Sequence, residues 1–85
     1  MPARTVIVGS AVGLHARPAS LIAQAAGDLD VDVFLSVEGE EPVDASSAMM
    51  IMTLGAERGA QVTVESEDQS AVDTIADMVE ADLDA

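Results

Sequence analysis

Apolar and polar residues alternate along this chain in two different periods, and the switches between those periods mark out its elements. From Thr5 to Val8 the β-branched content, with Val6 and Val8 on one face, predicts a first strand that Gly9, Ser10 and Gly13 break. Pro18, Leu21, Ile22, Ala25 and Ala26 then recur at helical spacing, and Gly27 is expected to stop that helix. Pro18 fits only the first turn, where its missing amide hydrogen is not needed, so the helix should begin near Ala16. Val31, Val33, Leu35 and Val37 alternate with Asp32, Phe34 and Ser36 as a half-buried strand. The Gly39 region turns the chain toward a short strand near Val43, which Pro42 marks as irregular or at a sheet edge. Asp44, Ser46 and Ser47 offer N-caps for a short second helix ending near Leu54 and Gly55. Val62 and Val64 read as a last strand, and Ser70 is expected to cap a final helix whose stripe is Val72, Ile75, Ala76, Val79 and Leu83.

The order is therefore βαββαβα, an α+β arrangement, and the amphipathic strands imply an antiparallel sheet with helices packed on one face. Eighty-five residues suit one domain spanning 1–85. With no Trp, Tyr or Cys and only Phe34, the core must be made of Val, Ile, Leu, Ala and Met. The missing cysteines exclude a disulfide or thiolate-metal framework. No cofactor is implied. The start of the chain lacks the continuous apolar run of a secretion signal or membrane span, so no membrane insertion and a cytoplasmic address are expected.

Charge changes the picture of possible partners. Sixteen acidic residues oppose Arg4, Arg17 and Arg58, and there is no lysine. Nucleic acid and anionic membranes would be repelled. Disorder is disfavoured because the apolar fraction is 49% and periodically arranged. Adaptation to high salt explains the excess best, since screening removes the self-repulsion of thirteen net negative charges.

His15 is the single histidine, and it falls at a loop-to-helix junction rather than on an apolar stripe. The unpaired amides of a helix's first turn, here Ala16 and Arg17, and the positive end of its dipole suit an anion. Arg17 adds a planar cation two residues on. Neutral imidazole, with a pKa of about 6.5, is a good nucleophile near neutrality, and phosphoryl transfer asks mainly for positioning and charge stabilisation. A solvated loop histidine is the plain alternative. Metal binding has little support, because there is no second histidine or cysteine and the carboxylates are scattered. Ser-His-Asp hydrolysis has less, with no glycine-rich nucleophile turn and no encoded cleft.

The run Gly13-Leu14-His15-Ala16-Arg17-Pro18-Ala19 resembles the active-site motif of the HPr family, the histidine phosphocarriers of the phosphoenolpyruvate-dependent sugar phosphotransferase system. The likeness extends over essentially the whole chain, including Ser47-Ala48-Met49, Met52 and Leu54-Gly55. It implies an open-faced β-sandwich in which enzyme I phosphorylates His15 on Nδ1 and a sugar-specific IIA domain accepts the group. Arg17 would steady the phosphoryl group. Members of this family commonly surround the histidine with basic residues, whereas this chain offers little beyond Arg17.

Ala48, Met49, Met50, Ile51, Met52 and Leu54 make the second helix apolar nearly all round, so some of them must be exposed. Met50 and Ile51 are read as core filler, and Met49 and Met52, with Ala48, as a docking patch for the partner proteins. Ser46 and Ser47 read first as helix caps. The resemblance adds phosphorylation by a regulatory kinase at one of them. Counting back from Leu54-Gly55 selects Ser47, while counting forward from His15 selects Ser46, because the loop with Glu40, Glu41 and Pro42 is one residue longer. Two other roles compete with the sugar carrier: a regulatory binding protein worked through these serines, and a phosphocarrier for a dihydroxyacetone-type kinase.

Overall fold

The computed structural model describes residues 1–81. Its elements run β1 (Ala3–Ile7), α1 (Ala16–Gly27), β2 (Val33–Ser36), β3 (Val43–Asp44), α2 (Ala48–Thr53), β4 (Gln61–Ser66) and α3 (Gln69–Glu80). The βαββαβα order is as the periodicity predicts. All pairings in the four-stranded sheet are antiparallel, in the order β1-β4-β2-β3. The short β3 is thus an edge strand, where the missing amide hydrogen of the preceding Pro42 disturbs no ladder.

Period-two alternation divides the sheet into a wet face and a dry one. Thr5 pairs with Thr63, which pairs with Ser36, and this outward row is polar. The inward residues Val6, Val33, Leu35, Val43, Val62 and Val64 are buried together with Ile22, Ile51, Val72, Ile75 and Val79 from the helices. Ser66 is the inward polar exception, and its hydroxyl donates to the Asp32 carbonyl at 2.8 Å. Buried hydroxyls need such a partner.

Several boundaries differ from the sequence expectation. The first strand begins two residues earlier and ends at Ile7, while Val8 follows it as a buried residue bonded to the Ala60 carbonyl. The second strand is confined to Val33–Ser36, the residues paired with β4. Gly27 does not stop α1 from outside; it is the last helical residue, and the amide of Asp28 closes the turn on Gln24 and Ala25. The cap of α3 is Asp68 rather than Ser70, whose amide and hydroxyl both donate to the Asp68 carboxylate at 2.9 Å. The buried face of α1 also centres on Pro18, Ala19, Ile22 and Ala26, leaving Leu21 at the surface. Leu83, assigned to the stripe of α3, lies outside the described residues.

Across the sheet edge, Arg4 reaches the solvent side of α3. Its guanidinium lies 3.0 Å from Asp77, 2.6 Å from Glu80 and 3.5 Å from Asp73. The hydrogen bond to Asp77 and the field of the three carboxylates raise its pKa further above the arginine value. No other ion pair forms among the described residues.

Candidate functional site

The loop before α1 is built to hold one side chain outward. Gly13 has φ +74°, a conformation that disfavours any side chain, and its amide closes a turn on the Ser10 carbonyl at 3.0 Å. Leu14 is buried and donates its amide to the Ala56 carbonyl at 2.8 Å. With Leu14 anchored inward, His15 is exposed. It occupies the N-cap of α1 with extended backbone, φ −87° and ψ −166°, and its side chain makes no capping bond. The imidazole is therefore not engaged as a cap acceptor.

The helical bonds of α1 begin with the Ala19 amide, which donates to the His15 carbonyl at 2.9 Å. The amides of Ala16 and Arg17 precede that first bond and belong to the unpaired set at a helix start, and Pro18 has none. No acidic residue stands in this first turn to occupy them. Arg17 is exposed and carries no ion pair among the described residues. Anionic groups are attracted to such a turn by its dipole and donors together.

The second predicted cluster also adjoins this loop, because α1 packs against α2 and Ala56, bonded to Leu14, lies three residues past the end of α2. Gly55, at φ +63°, ends that helix as its sequence position predicts. Met49 and Met52 are 73% and 41% exposed, and Ala48 is half-buried. Met50 corrects the reading as core filler: it is 43% exposed, and only Ile51 of that pair is buried. A six-residue helix lying on the core can direct few positions inward. Val12, in the His15 loop itself, is a further exposed apolar residue that periodicity could not single out, since it belongs to no element.

The two serines have different tasks. Ser47 is the N-cap of α2, its hydroxyl accepting from the Met50 amide at 3.3 Å. Ser46 instead donates its hydroxyl to Asp44 at 2.7 Å, and its amide reaches the same oxygen at 2.9 Å. Those two donors hold the Asp44 carboxyl below the usual carboxylate range.

Comparison with known proteins adds the family. The profile described as "PTS HPr component phosphorylation site" matches residues 2–81. The chain belongs to the HPr family. The phosphocarrier protein HPr of Streptomyces coelicolor is 39% identical over 71 residues, spanning 84% of this chain and 76% of that protein. The crystal structure of the Bacillus anthracis phosphocarrier HPr is 33% identical with a TM-score of 0.85, covering 92% of this chain and 95% of that one. HPr from Thermoanaerobacter tengcongensis is 30% identical with a TM-score of 0.88, over 100% of this chain and 98% of the other. HPr proteins are phosphocarriers of the phosphotransferase system, and the open sheet with three helices described above is their fold. No helix among the described residues is long and apolar enough to cross a membrane.

Proposed function

We propose that His15 is the phosphoryl-carrying residue, taking the group from enzyme I and passing it to a sugar-specific IIA domain in the cytoplasm. The observation that carries this reading is the exposed imidazole at the N-cap of α1, free of any capping bond, beside a first turn with no acidic residue. The Nδ1 lone pair attacks phosphorus as the bond to the donor breaks, and the N–P bond formed is broken in turn by the acceptor's nucleophile. The amides of Ala16 and Arg17, with the Arg17 guanidinium, offset the charge on the phosphoryl oxygens. The exposed methionines of α2 are the docking patch, their flexible side chains fitting two partners in turn. The acidic remainder of the surface is an adaptation to concentrated salt.

Regulation by phosphorylation, where it occurs, belongs to Ser47 in this reading. A phosphate on Ser46 would be forced against the Asp44 carboxylate that its hydroxyl now contacts, whereas one on Ser47 would face the first turn of α2. Incubation with cognate enzyme I and phosphoenolpyruvate, followed by addition of IIA domains, tests the carrier role. An acid-labile phosphoryl adduct that chases onto IIA supports it, and a chain that stays unlabelled contradicts it.

A further inference from the structure

Sulfur in this chain is confined to five methionines, because there is no cysteine. The fold distributes them unevenly. Met49, Met50 and Met52 are all exposed, and all three stand on the six-residue α2. Met49 and Met52, three positions apart, are neighbours on one face of that helix. Met1 lies elsewhere, in a groove on the outward face of the sheet with Phe34, Pro42 and Glu65. Met78 is half-buried and packs against the core from α3. None of the five belongs to the fully buried core. The side bonds that hold α2 use no sulfur either: the Ser47 hydroxyl accepts from the Met50 amide at 3.3 Å, and the Thr53 hydroxyl donates to the Met50 carbonyl at 2.6 Å. Three solvent-facing thioethers are thus gathered on the helix whose following segment is bonded to the His15 loop, where a chemical change at sulfur leaves core and caps in place.

We propose that Met49, Met50 and Met52 form a reversible oxidation site, at which conversion to sulfoxides by a peroxide switches phosphoryl transfer off. The proposal rests on the reading of these methionines as the docking patch. The thioether sulfur attacks one oxygen of the peroxide, the O–O bond breaks, and the departing hydroxide takes the proton from the transferred oxygen, leaving sulfoxide and water. Sulfur is oxidised and the peroxide reduced in that step. The return step consumes two thiols per sulfoxide and releases a disulfide and one water; the thiols are those of a methionine sulfoxide reductase, since this chain has none. A sulfoxide is a polar acceptor where the thioether was apolar, so docking against an apolar partner surface buries an oxygen without a donor. Oxidation adds no charge, and its effect on docking is therefore not removed by salt.

The test treats the purified protein with hydrogen peroxide until peptide mass spectrometry shows one added oxygen on each of Met49, Met50 and Met52, and then removes the peroxide. The second-order rate constant for transfer from phosphorylated enzyme I is expected to fall about tenfold or more at an unchanged melting temperature, and to recover after sulfoxide reductases for both epimers act with a thiol reductant. The triple variant Met49→Leu, Met50→Leu, Met52→Leu, compared with its own untreated rate, should lose nothing on the same treatment, which assigns the effect to α2 rather than to Met1 or Met78. An oxidised protein that reacts as fast as the untreated one overturns the proposal and leaves the methionines as scavengers. A loss shared by the leucine variant, left in place by the reductases or accompanied by a collapsed melting temperature overturns it too. The double variant Met49→Glu, Met52→Glu keeps the two readings apart. Slow transfer in that variant beside full-rate oxidised protein removes the switch alone, whereas full rates in both remove the docking patch with it.

Discussion

The amide of Leu14 donates to the carbonyl of Ala56 at 2.8 Å, and this bond joins the loop that presents His15 to the segment that follows the methionine-rich helix. The bond requires the two backbones to lie almost in contact. Gly13 makes that approach possible, since a Cβ there would sit 2.5 Å from the Ala56 oxygen and the residue's φ is +74°. Gly13→Ala should therefore cost about 1–3 kcal/mol of stability through strain and displaced backbone. Urea unfolding measures the loss, and phosphorylation by enzyme I should slow as well. A variant as stable and as reactive as wild type would show that the loop can relax without consequence.

Asp44 sets an expected pH dependence. Its carboxyl is held low by the hydroxyl and amide of Ser46 in the folded chain and is ordinary when unfolded. The stabilisation is then fully present above the ordinary carboxylate range and disappears as pH falls through the lowered value. Asp44→Asn should melt below wild type at neutral pH, with the gap closing as the pH falls into the acid range. Thermal melts across that range check it; a gap that widens in acid would give the wrong sign.

Docking is expected to run through the exposed methionines. Replacing Met49 and Met52 together by a charged residue should weaken binding to enzyme I and IIA by about 2 kcal/mol or more, at least a tenfold loss. The melting temperature should hardly change, because neither side chain is part of the buried core. Titration calorimetry with a thermal melt decides between this and a core role, which would show intact affinity and a collapsed melting temperature.

Salt should stabilise the fold. Screening weakens the ion pairs of Arg4, but it also relieves the repulsion among sixteen carboxylates opposed by three arginines, and the second effect involves far more charge. The melting temperature is expected to climb from low to molar salt. A flat midpoint would leave the acidity without the salt adaptation proposed for it.

Local signals account for what the sequence made legible. Pro18 marked the start of α1 near Ala16 because a proline's constraint acts within its own turn. Gly55 ended α2 for the same reason, whereas its cap, Ser47, was only one of three candidates with Asp44 and Ser46. The misassigned cap of α3 was a local tie: Asp68 and Ser70 both suit the role, and the carboxylate accepts from the serine rather than the reverse. Which face of α1 or α2 is buried depends instead on neighbouring elements, so Leu21 and Met50 could not be placed by period alone. The pairing of Leu14 with Ala56 is a contact between distant segments that leaves no periodic trace in either.

The central claim concerns one nitrogen-bearing side chain. His15→Ala, treated with enzyme I and phosphoenolpyruvate beside the wild type, should show no acid-labile phosphoryl adduct by mass spectrometry while keeping its melting temperature, since the imidazole is exposed and caps nothing. The wild type should carry one. An alanine variant that enzyme I still labels would contradict the assignment.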